Sequence, residues 1–290
     1  MISWTLVLVQ TLNGLQFGMM LFLFAAGLTL VLGIMNLVNL AHGSLYLLGG
    51  YIGWTVADRS GSWVLGIAAG AAVSALSGFA VQQAVLRPLQ GQDLREALVT
   101  IGLSIVAADL MLARYGGVTY DFSPPDRITG STRLPLLGVT YPTYRLFVLG
   151  FALLVGVLLW LMLTRTQLGV TIRAAIDDRE MVSALRINIQ RLFASMFAVG
   201  AGLAGMAGVV GGSVLSISSG EDARYLLASL IVVIIGGMGS LGGAAIASVL
   251  VGLVEQYALA LVPTYAAIIN FALMVVVLAL RPQGILGRAA

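Results

Sequence analysis

Two carboxylates, Asp109 and Glu255, sit inside long apolar stretches, and a run of polar side chains, Asn36, Asn39, His42, Ser44 and Tyr46, interrupts another. An ionised group in hydrocarbon costs at least about 2.5 kcal/mol on insertion scales, and a buried amide is costly unless it is hydrogen-bonded. Side chains of this kind either line a polar pathway or tie helices together. Asp109 has Arg114 nearby as an ion-pair partner, whereas Glu255 has no charged neighbour in its stretch, so Glu255 is the stronger candidate for a pathway. Asn36, Asn39, His42 and Ser44 either line that pathway or shape a bend beside it through caps and interhelical hydrogen bonds, each worth about 1 kcal/mol. Hydrolysis is a poor reading of His42-Gly43-Ser44. The Gly-x-Ser-x-Gly elbow is missing, and adjacent side chains do not align as nucleophile and base.

Residues 164–191 hold the other concentration of charge. The spacing from Thr166 onward predicts a short amphipathic helix, on which Ala174, Met181, Val182 and Leu185 share one face. Asp177, Asp178, Arg179 and Glu180 stand against that face. Such a segment is either an ordinary loop with solvated charges or a helix that docks into a groove on a cytoplasmic partner.

The elements that must position these residues are membrane helices. The 290 residues are 59% hydrophobic and 9% charged, against about 25% charged in a soluble domain, and the mean hydropathy is +1.02. Runs such as Leu21–Leu32 and Leu149–Leu163 do not alternate, which excludes barrel strands. A crossing takes about 20 apolar residues, so the chain has room for eight to ten. Hydrophobic segments fall at 6–33, 43–57, 63–86, 97–115, 144–163, 192–215, 225–236, 244–262 and 265–280. The expectation is a single all-α membrane domain over 1–290, a polytopic bundle of eight or nine segments with at least one interrupted helix. The N-terminal stretch, without a positive flank or cleavage site, reads as a retained helix.

Composition also excludes functions. There is no cysteine, hence no disulfide or thiolate chemistry, and the fifteen basic residues are all arginine. Without a lysine there is no Walker A loop and no Schiff base, so the chain is not a P-loop ATPase. One histidine builds neither a multi-histidine metal site nor a paired-histidine haem site, so no cofactor is expected. The pI near 9.4 arises from arginines in short loops and carries no nucleic-acid signal. Arg87 and Arg95, then Arg165 to Arg191, then Arg281 and Arg288 mark cytoplasmic segments by the positive-inside rule.

It follows that 116–143, with Pro124, Pro125, Pro135 and Pro142, is an ordered extracytoplasmic loop. The N-terminus lies outside the inner membrane and the C-terminus inside. Asp109 then falls in the outer third of its helix and Glu255 near the middle. Parity requires 225–262 to split at Gly236–Gly243, leaving a first piece of about 12 residues, too short to span at 1.5 Å per residue. A second interruption covers Gly33–Ser44. Breaks at corresponding places in two halves point to a transport pathway.

Four motifs now carry a resemblance. They are Asn39-Leu-Ala-His42-Gly43-Ser-Leu-Tyr46-Leu-Leu-Gly49-Gly50-Tyr51, Gly169-x-x-x-Arg173-Ala174 with Asp177-Asp178, Gly236-Gly-Met-Gly239-Ser240-Leu-Gly242-Gly243, and Arg281-Pro282-x-Gly284-Ile285-Leu286-Gly287. Together they make the chain similar, over nearly its whole length, to the permease subunits of branched-chain amino acid ABC importers, specifically the H-type of the two paired permeases. The resemblance implies a coupling helix at 169–186, with Gly169, Arg173, Ala174, Asp177 and Asp178 engaging the ATPase. It also implies a second homologous permease, two ATPase subunits and a periplasmic binding protein. Related permeases serve urea, amides and aromatic acids as well. The chain departs from the pattern at Arg186, where the family usually has glycine before the Ile187-Asn188 pair. The competing reading of the residues is an ion- or proton-coupled carrier with Asp109 or Glu255 as the ion site.

Overall fold

The computed structural model describes residues 4–35, 39–122, 124–125, 128–135 and 138–287. Its helices are α1 (Trp4–Met35), α2 (His42–Ser60), α3 (Trp63–Val81), α4 (Asp93–Tyr115), α5 (Thr143–Arg165), α6 (Gln167–Asp177), α7 (Arg179–Ala184), α8 (Ile189–Leu215), α9 (Glu221–Gly236), α10 (Leu241–Leu261) and α11 (Ala266–Leu280). Each of the nine hydrophobic segments is helical. Among the described residues, seven helical runs are long and apolar enough to cross a membrane, and α2 and α9 are not among them. α2 starts on His42-Gly43-Ser44 and ends on Asp58-Arg59-Ser60, while α9 has only 16 residues, about 24 Å at 1.5 Å per residue. The short piece is thus four residues longer than the sequence pattern gives, because Glu221, Asp222 and Arg224 form its first turn.

α1 and α8 are the central helices, with 83% and 72% of their apolar windows buried, whereas α4, α5 and α11 have 17%, 17% and 11% and form the periphery. The centre is built on small residues, since lipid gives helices no hydrophobic reason to associate and close van der Waals packing must do so. Gly49 of α2 meets Gly205 of α8 so closely that a Cβ on Gly49 would overlap the Gly205 backbone. α10 runs back along α1, with the Tyr257 hydroxyl 2.7 Å from Thr11 Oγ1. α3 continues through one π turn (Gln82–Leu86) and one 3-10 turn (Arg87–Leu89) before α4.

The proline-rich loop contains a hairpin that the sequence pattern does not reveal. β1 (Ser131–Leu134) pairs antiparallel with β2 (Val139–Pro142), Ser131 opposite Pro142 and Leu134 opposite Val139. It is pinned to α1 where the Tyr141 hydroxyl donates to Asn13 Oδ1 at 2.9 Å and Arg145 Nη1 donates to the same atom at 2.8 Å. Tyr120 and Ile217 exchange backbone hydrogen bonds of 2.8 and 2.9 Å, fastening the loop to the α8–α9 connection.

Candidate functional site

Three of the four sequence motifs converge at one end of the bundle. The end of α1 meets the glycine turn between α9 and α10, where a Cβ on Gly33 would lie 2.7 Å from Gly239 Cα. The two interruptions read from the sequence are therefore in contact. The terminal segment docks onto the same turn, with Ile285 N donating to Ile235 O at 2.8 Å and Leu286 N to Gly236 O at 3.1 Å. α6 packs beside them. A cavity of about 330 Å³ is lined by Gly33 of α1, Trp160 of α5, Ile172 and Arg173 of α6, Gly239 of the turn and Leu286.

The segment expected as one helix over 169–186 is two. Asp178 is extended (φ −151°, ψ 103°), and its carboxylate caps α7 by accepting from Met181 N at 2.9 Å. A side chain that satisfies an orphan N–H starts a new helix at the cost of the old one. Thr166 caps α6 in the same way, accepting from Gly169 N at 3.2 Å. Gly169 is buried against the end of α5, where a Cβ would overlap the Leu163 carbonyl, and Arg173 Nη1 donates to that carbonyl. A guanidinium on the last carbonyls of a helix complements the negative end of its dipole. Gly169 and Arg173 thus bind α6 to α5, while Ala174 and Asp178 are exposed. The side chain of Asp177 lies outside the described residues. The expected apolar face divides as well: Val182 packs inward with Ile172 and Ala175, and Ala174, Met181 and Leu185 face outward.

At the level of the middle of α1, two helices begin face to face. A Cβ on Gly43, in the first turn of α2, would lie 2.5 Å from the Asp222 carbonyl, in the first turn of α9. The rings of Tyr46 and Tyr225 lie 4.7 Å apart, and Phe24 stacks on His42 at 4.7 Å. His42 is fully buried, with Nε2 3.2 Å from Phe24 O. Asn39 Oδ1 accepts from Ala41 N at 3.1 Å, and Ser44 Oγ lies 2.9 Å from Ser104 Oγ of α4. His42 holds the start of α2 against α1 and Ser44 holds it against α4, while Asn39 shapes the local turn before it; Asn36 lies outside the described residues.

Glu255 lies on α10, six residues before its end at Leu261. Its carboxylate accepts from Asn270 Nδ2 of α11. Asp109 is exposed on α4 and does not pair with Arg114, whose guanidinium carbon lies 5.4 Å from the Tyr115 ring centroid. Five residues of helix put Asp109 and Arg114 on different faces. No group of three or more metal-ligating side chains occurs among the described residues.

A family model described as branched-chain amino acid transport system / permease component matches residues 10–278. The chain belongs to this family. It is 29% identical to the high-affinity branched-chain amino acid transport system permease protein BraD of Pseudomonas aeruginosa, over 96% of this chain and 95% of the relative. LivH of Escherichia coli K12, a permease of the same description, is 27% identical over 96% of this chain and 95% of its own. LivM of Salmonella typhimurium, also so described, is 28% identical over 92% of this chain and 68% of its own length. No solved structure gives a significant match.

Membership of this permease family accords with a multi-pass inner-membrane protein whose role is transport and not catalysis. The departure at Arg186 acquires a physical meaning, since Arg186 has a φ of +60°, the left-handed region that glycine occupies without strain. The first turn of α9 was missed in the sequence, where Glu221, Asp222 and Arg224 pass for a loop ahead of the apolar run. The signal was available: a helix shorter than the bilayer with three charges at one end.

Proposed function

We propose that this chain forms half of the translocation pathway of an ATP-driven importer for branched-chain amino acids, with ATP hydrolysed on two separate subunits. The observation that carries the proposal is the convergence of α6, the glycine turn, the terminal segment and the end of α1 around one cavity. A push on α6 from a docked ATPase reaches α5 through Gly169 and Arg173, and it reshapes the cavity that α6 shares with α1 and the α9–α10 turn. Ala174, Asp178, Met181 and Leu185 are the surface such a subunit would cover, with Asp177 beside them. Similarity to both LivH and LivM supports a homologous second permease, and a periplasmic binding protein completes the assembly.

In this reading the N-terminus and the 116–143 loop are extracytoplasmic, and 164–191 and the C-terminus are cytoplasmic. Asn39, His42 and Ser44, with Asn36, shape the bend at the start of α2, and Glu255 faces the pathway. The test is uptake into proteoliposomes holding the full assembly, with ATP and the ion gradient varied independently. Uptake that requires ATP and survives collapse of the gradient is the expected result; uptake that follows the gradient and ignores ATP would overturn it.

A further inference from the structure

We propose that the cleft between α1, α9, α10 and α11 binds an α-amino acid as its zwitterion, Arg224 taking the carboxylate, Glu255 and Asn270 the ammonium, and the apolar walls the side chain. This assignment rests on the importer reading and gives its solute a binding site. The cleft has a volume of about 220 Å³ and is walled by apolar side chains including Leu21, Ile231 and Phe271, with Arg224, Glu255 and Asn270 among its polar groups.

Asn270 is 7% exposed, and its Nδ2 donates to the Glu255 carboxylate while its Oδ1 has no partner. A buried acceptor left without a donor is costly. A carboxylate accepts more than one hydrogen bond, so Glu255 and the Asn270 oxygen together offer acceptors to an ammonium group with three donors. Arg224 lies 3.7 Å from Glu221, and its side chain remains 61% exposed. It lines the cleft together with Phe17 and Leu21, near the middle of the 32-residue α1. A charge at that depth faces an aqueous cavity or another protein, not lipid. The planar guanidinium fork matches a carboxylate, and the N-terminal end of α9 adds its partial positive charge.

Groups of opposite charge lining one apolar cleft discriminate among solutes. Urea and simple amides carry no charge for Arg224 or Glu255 to meet, and an aromatic acid without an amine leaves Glu255 and Asn270 unanswered.

The experiment measures binding of tritiated L-leucine to the permease–ATPase assembly in nanodiscs, without ATP or binding protein. Leucine is expected to compete at least tenfold better than 4-methylpentanoate, which lacks the ammonium, and than isopentylamine, which lacks the carboxylate. Glu255→Gln and Arg224→Gln should each weaken leucine at least tenfold. Because either variant could fail to assemble, Ala228→Cys on the cleft wall supplies a second measurement in this cysteine-free chain. Leucine should slow its modification by a methanethiosulfonate reagent at least fivefold. If leucine neither binds nor protects Ala228→Cys while the same assembly, given its binding protein, imports leucine with ATP, the site is wrong and the importer reading stands. Equal competition by a neutral amide overturns the zwitterion assignment. Absence of ATP-driven uptake by the unmodified assembly removes the importer reading and the site with it.

Discussion

At Arg186 the backbone has a conformation that its side chain resists, and at Asp178 the side chain dictates the backbone. A left-handed non-glycine residue costs about 1 kcal/mol or more, because Cβ crowds the following carbonyl. Arg186→Gly should therefore stabilise the end of α7 by about 1 kcal/mol, and Arg186→Val should destabilise it, since a β-branched side chain tolerates φ > 0 least. Amide exchange across 179–185 reads both effects, and faster exchange in Arg186→Gly would contradict the backbone argument. Asp178→Ala removes the cap of α7 at a cost of about 1 kcal/mol, whereas Asn and Ser preserve it. If Asp178 acts as a cap, Asp178→Asn transports nearly as well as the parent chain and only Asp178→Ala is impaired. If its charge contacts the ATPase, both variants fail alike in ATP-driven uptake. Arg173→Ala releases α6 from the Leu163 carbonyl and should lower coupled uptake while insertion into the membrane persists.

The helices owe their arrangement to glycine and alanine more than to large apolar side chains. A Cβ on Gly205 would overlap Gly70 O and the Ser74 side chain, both of α3, while the Gly205 backbone lies against Gly49 of α2 on its other side. Gly205→Ala should sharply reduce the yield of assembled complex. Gly102 of α4 has nothing within 4 Å of a built Cβ, so Gly102→Ala should be neutral or stabilising by about 0.5–1 kcal/mol through helix propensity. Comparable yields from the two variants would refute close packing of α8 against α3 as the determinant.

The sequence located all nine apolar helical segments, since long apolar runs are unambiguous in a chain with so few charges, but it marked only α9 as too short to span, whereas α2 also falls short of a full crossing. It could not locate the 131–142 hairpin, whose strands have four residues each and are held by Asn13, far away in sequence. Asp178 was legible as a charged residue but not as a helix stop, because capping depends on its own backbone angles. Glu255 was legible as an intramembrane carboxylate, but its neighbour Asn270 is ordinary in sequence and matters only because α10 and α11 turn back on each other.

Taken whole, the molecule is incomplete in a specific direction. Apolar side chains are exposed on α4, α5 and α11, as lipid or a second permease requires, but exposed Met181 (66%) and Leu185 (68%) lie in the segment read as cytoplasmic. Neither lipid nor water is a favourable neighbour for two such side chains next to Asp178. A protein surface resolves the mismatch, and the absence of cysteine makes the point measurable, since any introduced cysteine is the only target. Met181→Cys should react with an impermeant maleimide in inverted vesicles and not in intact cells, while Gly117→Cys, exposed in the α4–β1 loop, should behave in the opposite way. If the proposed ATPase docks on that face, the Met181→Cys reaction should slow at least tenfold in the full assembly relative to the chain alone. Labelling of Met181→Cys from the outside would reverse the assigned orientation, and an unchanged rate in the assembly would place the ATPase elsewhere on the surface.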